Sequence, residues 1–382
     1  EIPAEIIALE KDHSKLMPLR DPSGLRIGDA VKCSIDQALP LANRDFSGRC
    51  VDALGSPIDG RGDLLFEPKP AIMSKDSVTK KRLQTTKITT GFICFDHFLP
   101  IGRGQKIGVF SPAGCGKTTL LNSLIDITDF DHCVIALIGE RGREVSKTWA
   151  SVQAKDNSDQ YTMVACTSDE LPTRRVRALD QALRICEARR YSGEDVLLIV
   201  DSLSRYALAL REVGLAAGAP PTVRAYTPNV FTEIPKILER CGAFENAGSI
   251  TGVFSVLTDD EMTDDPLSEM LKSILDGHIV LSRSLANRGH YPAIDFLRSI
   301  SRFSAELLSD NEKKISESVM GALSRVEDAK AMIESGLYKS GDNPELDQAQ
   351  KVVKALFANT RQLSRSNSDN ETGFHKIMEA LS

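Results

Sequence analysis

Four residues spaced Gly-x-Gly-Lys-Thr, namely Gly114, Gly116, Lys117 and Thr118, lie within IGVFSPAGCGKTTLLNSL, residues 107–124 of the 382-residue chain. Glycines at such positions let backbone N–H groups turn inward around a polyphosphate. A helix starting near Lys117 would aim its positive end at the same anion. Lys117 can reach the β- and γ-phosphates, and the Thr118 hydroxyl can ligate Mg²⁺. The stretch reads as a phosphate-binding loop, or Walker A, between a buried strand and a helix. Its usual first glycine is replaced by Ser111, which leaves the mechanism intact. Pro112, Ala113, Gly114, Cys115, Gly116, Lys117, Thr118 and Thr119 are the expected cradle for ATP.

Two carboxylates could complete a phosphoryl-transfer site. Residues 196–201, Val-Leu-Leu-Ile-Val-Asp, form an apolar run ending in Asp201. An acid at that point can hold Mg²⁺, directly or through water, beside Thr118. Apolar strands ending in Asp are common, so this Walker B reading leans on the phosphate loop. Residues 138–145, Ile-Gly-Glu-Arg-Gly-Arg-Glu-Val, follow another apolar run. Glu140 there could orient and deprotonate an attacking water, with Arg141 near the γ-phosphate. A solvated charged loop would satisfy the same spacing.

Such groups need a scaffold that gathers them. Apolar strands are expected at 107–110, 133–138, 162–166, 196–200, 249–256 and 278–281. Helical spacing joins Leu120, Leu121, Leu124 and Ile125, and again Leu179, Ala182, Leu183 and Cys186. Near-continuous apolar strands alternating with helices predict an α/β fold, a mostly parallel sheet covered on both faces. Ligands in such folds sit at the carboxyl ends of the strands. Residues 1–66 read instead as β- and loop-rich, with apolar runs at 6–9 and 30–35, and resemble a partial β-barrel lacking its first strands. The Pro- and Lys-rich stretch 66–81 reads as a linker. After 309 the strand signal stops. One amphipathic helix is expected through Val319, Ala322, Leu323, Val326, Ala329 and Ile333, and two more over 350–363 and 374–381. The polar stretch 364–372 reads as a mobile loop. The division is thus 1–66, 67–308 and 309–382.

Composition narrows the class. Hydrophobic content of 41% and charged content of 26% are ordinary for a globular protein. No run is long and apolar enough to span a bilayer. A net charge of −6 lends no support to nucleic-acid binding. The eight cysteines form no CxxC pair, and several sit in apolar runs, which points to a reducing cytoplasmic setting. The chain opens on Glu1 rather than Met, so the expectation is that its amino terminus has been removed. Residues 174–177, Arg-Arg-Val-Arg, read as an exposed helix face.

Four motifs, in this order, carry a resemblance. They are the phosphate loop, Gly139-Glu-Arg-Gly-Arg-Glu-Val145, Asp201-Ser-Leu-Ser-Arg205 and Pro292-Ala-Ile-Asp-Phe-Leu-Arg-Ser-Ile-Ser301. The chain resembles the catalytic β-like ATPases of the rotary ATP synthase superfamily. Within it, residues 139–145 and Gly336-Leu-Tyr-Lys-Ser-Gly-Asp-Asn-Pro344 look most like the ATPases of type III secretion and flagellar protein export. The resemblance implies a RecA-like P-loop core between a barrel and a small helical domain. It implies that Glu140 positions water and that Arg205 lies near the catalytic site. It further implies that Tyr291 stacks on adenine and that Arg302 is an arginine finger reaching a neighbouring subunit. Core packing for Tyr291 and a surface or ion-paired role for Arg302 are the plain alternatives.

The resemblance also implies a homohexamer that hydrolyses Mg-ATP at the cytoplasmic side of an inner-membrane export apparatus. Implied partners are a stator, a central coiled-coil stalk, an export gate and chaperone–cargo complexes. The loops at 214–221 and 258–266 would face the pore, the second being acidic enough to meet a basic stalk. A proton- or sodium-linked rotary subunit is disfavoured by the lack of an acidic DELSEED-type segment. A non-catalytic ring subunit is disfavoured by Glu140. An RNA-translocating hexamer is disfavoured by the acidic balance and by the lack of an aromatic-basic platform.

Overall fold

A computed structural model describes residues 1–33, 46–64, 85–127, 129–258, 265–362 and 367–381. A hairpin of β1 (Ala4–Leu9) and β2 (Ser14–Pro18) opens the chain, and β3 (Arg49–Val51) follows. The central part runs β4 (Lys106–Ser111), α1 (Lys117–Ile125), β5 (His132–Glu140), α2 (Gly142–Gln153), β6 (Tyr161–Thr167), α3 (Pro172–Tyr191), β7 (Asp195–Asp201) and α4 (Leu203–Ala217). It continues through α5 (Pro228–Leu238), β8 (Gly242–Ala243), β9 (Ser249–Leu257), α6 (Pro266–Ile274), β10 (Gly277–Val280), α7 (Arg283–Asn287) and β11 (Ile300–Ser301). The tail is helical: α8 (Ser304–Leu307), α9 (Asp310–Asp328), α10 (Lys330–Glu334), α11 (Pro344–Thr360) and α12 (Asn367–Leu381).

The main sheet runs β11-β10-β4-β9-β7-β5-β6-β3, with β8 paired to β9. All its pairings are parallel except β10–β11 and β8–β9. Parallel strands buried on both faces need apolar residues on both, and the sequence supplies them. On one face Ile107, Val109, Ile135, Leu137, Ile199 and Val253 join a core with Leu120 and Leu124 of α1 and Val319, Val352 and Ile377 of the tail. On the other face Phe110, Val134, Ile138, Leu198, Val200 and Phe254 pack with Leu179 and Leu183 of α3 and Tyr206 of α4. The expected strands and both helical patterns therefore stand where the apolar spacing put them.

The amino-terminal part also carries a strand that spacing did not mark. Arg49–Val51 is the outer strand of the main sheet, paired to β6. Cys50 and Val51 are buried there, and Arg49 is neutralised by Asp59 at 2.6 Å, so a charged residue can occupy the strand. Of the run at 30–35, residues 30–33 form no strand and the rest lies outside the described residues, as does the linker at 66–81. The arginines read as an exposed face are only partly exposed. Arg174 pairs with Asp52 and Glu170, Arg175 with Glu212, and Arg177 with Glu5 of the hairpin.

Three features of the tail also differ from expectation. Its first long helix is divided at Ala329, the C-cap of α9 and the N-cap of α10. α11 starts at Pro344, behind the N-cap Asn343, whose side chain accepts from the N–H groups of Glu345 and Leu346. Residues 367–372, read as loop, open α12. Asn370 in this turn makes tertiary bonds: its Nδ2 donates to Asp96 Oδ2 at 2.9 Å, and Gln362 Nε2 donates to its Oδ1 at 2.7 Å. A buried helical turn, Cys94–Phe98, receives the tail, with His97 stacked on Phe374 at 3.9 Å between ring centres.

Candidate active site

The carboxyl ends of β4, β5, β7 and β9 meet at one cleft. β4 ends in Ser111, the loop 112–116 turns, and α1 begins at Lys117. Gly114 and Gly116 both have φ of 83°, a conformation costly for any residue with a Cβ. Pro112 and Cys115 of the loop are buried, while Ala113 and Gly114 of the loop and Thr118 and Thr119 of α1 are exposed.

Thr118, Glu140 and Asp201 line the same cleft, together with Glu144 and Thr148 of α2. The Lys117 ammonium is bonded to Asp201 Oδ1 and lies 3.3 Å from Ser255 Oγ. Ser255 Oγ in turn donates to Asp201 Oδ1 at 2.6 Å. Glu140 ends β5 almost fully buried, facing Arg205, whose Nε is 2.9 Å from Oε1. Burial first, and then the nearby Asp201, push the Glu140 carboxyl above the ordinary glutamate range, and Arg205 and Lys117 oppose them. A glutamate held between such influences is suited to taking a proton from water.

The donor set fits Mg²⁺. That ion takes oxygen ligands, commonly one or two carboxylates with substrate phosphates. A hydroxyl and a carboxylate, Thr118 and Asp201, border the place where phosphate would lie. Among the described residues, the hydrogen bonds to Asp201 go to Oδ1.

A second pocket opens on the other side of α1, lined by Tyr291, Phe92, Pro292, Gly116, Thr119 and Gln362 among others. Its open space is about 540 Å³, mouth included. Tyr291 stands against the phosphate loop: a Cβ on Gly116 would come within 3.0 Å of its ring. Thr118 and Tyr291 thus border cavities on two faces of α1.

Two of the anticipated residues lie apart from this cluster. Arg141 is exposed at the N-cap of α2, beyond the buried Glu140. Arg302 is exposed just after β11, at the edge of the sheet, and its Nη2 donates to the carbonyls of Lys272 at 2.9 Å and Ser273 at 3.3 Å. It therefore caps the carboxyl end of α6, with β10, β4, β9 and β7 between its strand and Glu140. Of the acidic stretch 258–266, residues 259–264 lie outside the described residues. Residues 214–217 of the small-residue stretch close α4, with Gly218 as its C-cap.

Sequence reading passed over Ser255, Glu144 and Gln362. Ser255 is a polar interruption in Gly252-Val-Phe-Ser-Val-Leu257, which was the available signal. Glu144 follows the predicted base within the same charged motif. Gln362 reaches the base pocket from the helical tail, with Oε1 accepting from Ile93 N at 2.8 Å, and nothing local marks it.

Comparison with known proteins agrees with this geometry. Residues 91–301 match the nucleotide-binding domain of the ATP synthase alpha/beta family, and residues 308–379 match the T3SS EscN ATPase C-terminal domain. The flagellum-specific ATP synthase of Treponema pallidum is 41% identical over 348 residues, covering 91% of this chain and 77% of its own length. That of Aquifex aeolicus is 36% identical over 381 residues, covering 100% and 85%. Among solved structures, the assembled ATPase EscN of the enteropathogenic E. coli type III secretion system gives a TM-score of 0.93 at 32% identity, over 100% of this chain and 93% of that one. EscN in complex with its central stalk EscO gives 0.82 at 31% identity, over 99% and 92%. With both parts of the chain matched in order and the phosphate loop, Glu140 and Asp201 gathered at one cleft, the chain belongs to the ATP synthase alpha/beta family, in its branch of type III secretion and flagellar export ATPases.

Proposed function

We propose that the chain is the Mg-ATP hydrolysing motor of a bacterial type III protein export system. The observation that carries this reading is the gathering of Lys117, Thr118, Glu140 and Asp201 around one cleft beside a base pocket containing Tyr291. In the proposed reaction Lys117 binds the β- and γ-phosphates, Thr118 and Asp201 hold Mg²⁺, and Glu140 orients the attacking water. Mg²⁺ supplies charge neutralisation at the phosphates when bound. Arg205 opposes the burial and the Asp201 charge that raise the Glu140 pKa, and Arg302 completes the site of an adjacent copy from the far edge of the sheet.

A homohexamer with a central stalk is supported by the assembled and stalk-bound forms of EscN. We assign the acidic stretch 258–266 to stalk contact. Unchanged stalk stimulation after neutralising Asp259, Asp260 and Glu261 would remove that assignment. A stator, an export gate and chaperone–cargo complexes are the further partners of such a motor, which would work in the cytoplasm at the inner-membrane apparatus. No helix among the described residues is long and apolar enough to cross a membrane. The two matched segments, ending at 301 and starting at 308, support a division near 308 between a nucleotide domain and a helical one, and we place the end of the amino-terminal piece at residue 66. The deciding experiment is release of a cognate cargo from its chaperone by the purified chain with Mg-ATP. Release that proceeds equally with Glu140→Gln would overturn the coupling of hydrolysis to export.

A further inference from the structure

One polar side chain inside the sheet takes part in none of these roles. Ser255 lies on β9, is 0% exposed and interrupts an apolar run. β9 is the strand between β4, which feeds the phosphate loop, and β7, which ends in Asp201. The register sets Ser255 beside Val109 of β4 and its neighbour Phe254 beside Val200 of β7. A short side chain at this point can reach groups delivered by both flanking strands. It does so, donating to Asp201 Oδ1 at 2.6 Å and lying 3.3 Å from the Lys117 ammonium. A buried hydroxyl is costly unless bonded, and a bond to a carboxylate is stronger than one between neutral groups.

The three groups are not equivalent once nucleotide enters. Lys117 sits on a flexible four-carbon stem and has two destinations, the Asp201 carboxylate and the phosphates. When it moves to the phosphates, Asp201 loses the cation that held Oδ1. The hydroxyl of Ser255 is anchored to a central strand and stays. We propose that Ser255 is a positioning residue of the ATPase centre: its hydroxyl keeps the Asp201 carboxylate aimed at the metal after Lys117 has moved to the nucleotide. This rests on the Mg-ATP reading above.

The test separates metal handling from nucleotide handling. ATP binding to wild type, Ser255→Ala and Ser255→Thr is measured by calorimetry in EDTA and at graded Mg²⁺, and hydrolysis is titrated with Mg²⁺ at fixed ATP. For S255A the affinity in EDTA is expected to stay within twofold of wild type. The Mg²⁺ needed for half-maximal hydrolysis, and for the Mg²⁺-dependent gain in affinity, is expected to rise about tenfold, the scale of one lost bond to a charged acceptor. S255T keeps the hydroxyl and is expected to return within about threefold of wild type. An unchanged Mg²⁺ requirement in S255A beside a normal wild type would overturn this role alone. Failure of S255T to restore it at an unchanged thermal midpoint would do the same. A wild-type chain with no Mg²⁺-dependent nucleotide binding would overturn the nucleotide reading and this role together.

Discussion

The guanidinium of Arg205 faces Glu140 side-on, with Nε 2.9 Å from Oε1 and Nη2 3.4 Å from Oε2. This pair decides the charge of the proposed base. Burial and Asp201 favour the protonated acid, and Arg205 favours the carboxylate. Only the carboxylate can accept a proton from water, so a raised pKa moves the acid limb of kcat/KM to higher pH than an ordinary glutamate would give. Removing Arg205 removes an influence that lowers the pKa. Arg205→Ala is therefore expected to move that limb further up in pH. A pH profile of kcat/KM for both proteins checks the sign, and a limb shifted downward would contradict the pairing.

Glu140→Gln keeps the shape of the side chain and removes its basicity. Hydrolysis is expected to fall by about 10²–10⁴, the usual worth of a positioned general base. ATP affinity should stay within a few-fold, because the phosphate loop and Tyr291 are untouched. Steady-state hydrolysis beside equilibrium nucleotide binding makes the comparison.

Arg302→Ala should leave nucleotide binding intact and lower hydrolysis by about 10³ or more, as loss of an arginine finger does. Mixing Arg302→Ala with Glu140→Gln chains is expected to restore part of the activity, since some junctions then hold both wild-type groups. Mixtures no more active than the weighted mean of the two variants would exclude a finger acting across copies.

Tyr291→Ala should weaken ATP binding about three- to tenfold, the scale of an aromatic stacking contact. Tyr291→Phe should not, since the ring face is retained. Equal affinities for all three proteins would return Tyr291 to a packing role.

The tail is tied to the core through Glu312. Its carboxyl closes the capping box of α9 with Ser309 and lies 3.0 Å from Lys87. Burial alone would raise its pKa, but the bonds from Ser309 and Lys87 outweigh it and hold the group at about 2, below the ordinary 4.5. The stabilisation is therefore present above pH about 4.5 and lost as pH falls toward 2. Glu312→Ala is expected to cost about 1 kcal/mol near neutrality, as lost caps do. The thermal midpoints of variant and wild type should converge across that acid window. A constant difference down to pH 2 would contradict the assignment.

The parts legible in the sequence are those where local spacing and burial coincide. β4, β5, β7 and β9 are apolar on both faces because both faces are covered, and so they stand out as runs. The phosphate loop is legible because its chemistry is contiguous. Arg49–Val51 escaped notice because a three-residue strand opening on arginine depends on Asp59, ten residues away, for its neutrality. Residues 367–372 looked like loop because the bonds that satisfy Asn370 come from Asp96 and Gln362, partners that spacing does not reveal. Glu140 and Asp201 were found as strand ends, whereas their mutual electrostatics depend on β5 and β7 being adjacent.

Arg302 follows the edge strand β11, and four strands separate that strand from β5, which carries Glu140. On the proposed reading each copy gives on one side and receives on the other, like links with a hook and an eye. An open row of such links always leaves one eye empty, however long it grows. Only closing the circle makes every station complete, so a single broken contact should silence a whole reaction centre rather than merely loosen the assembly.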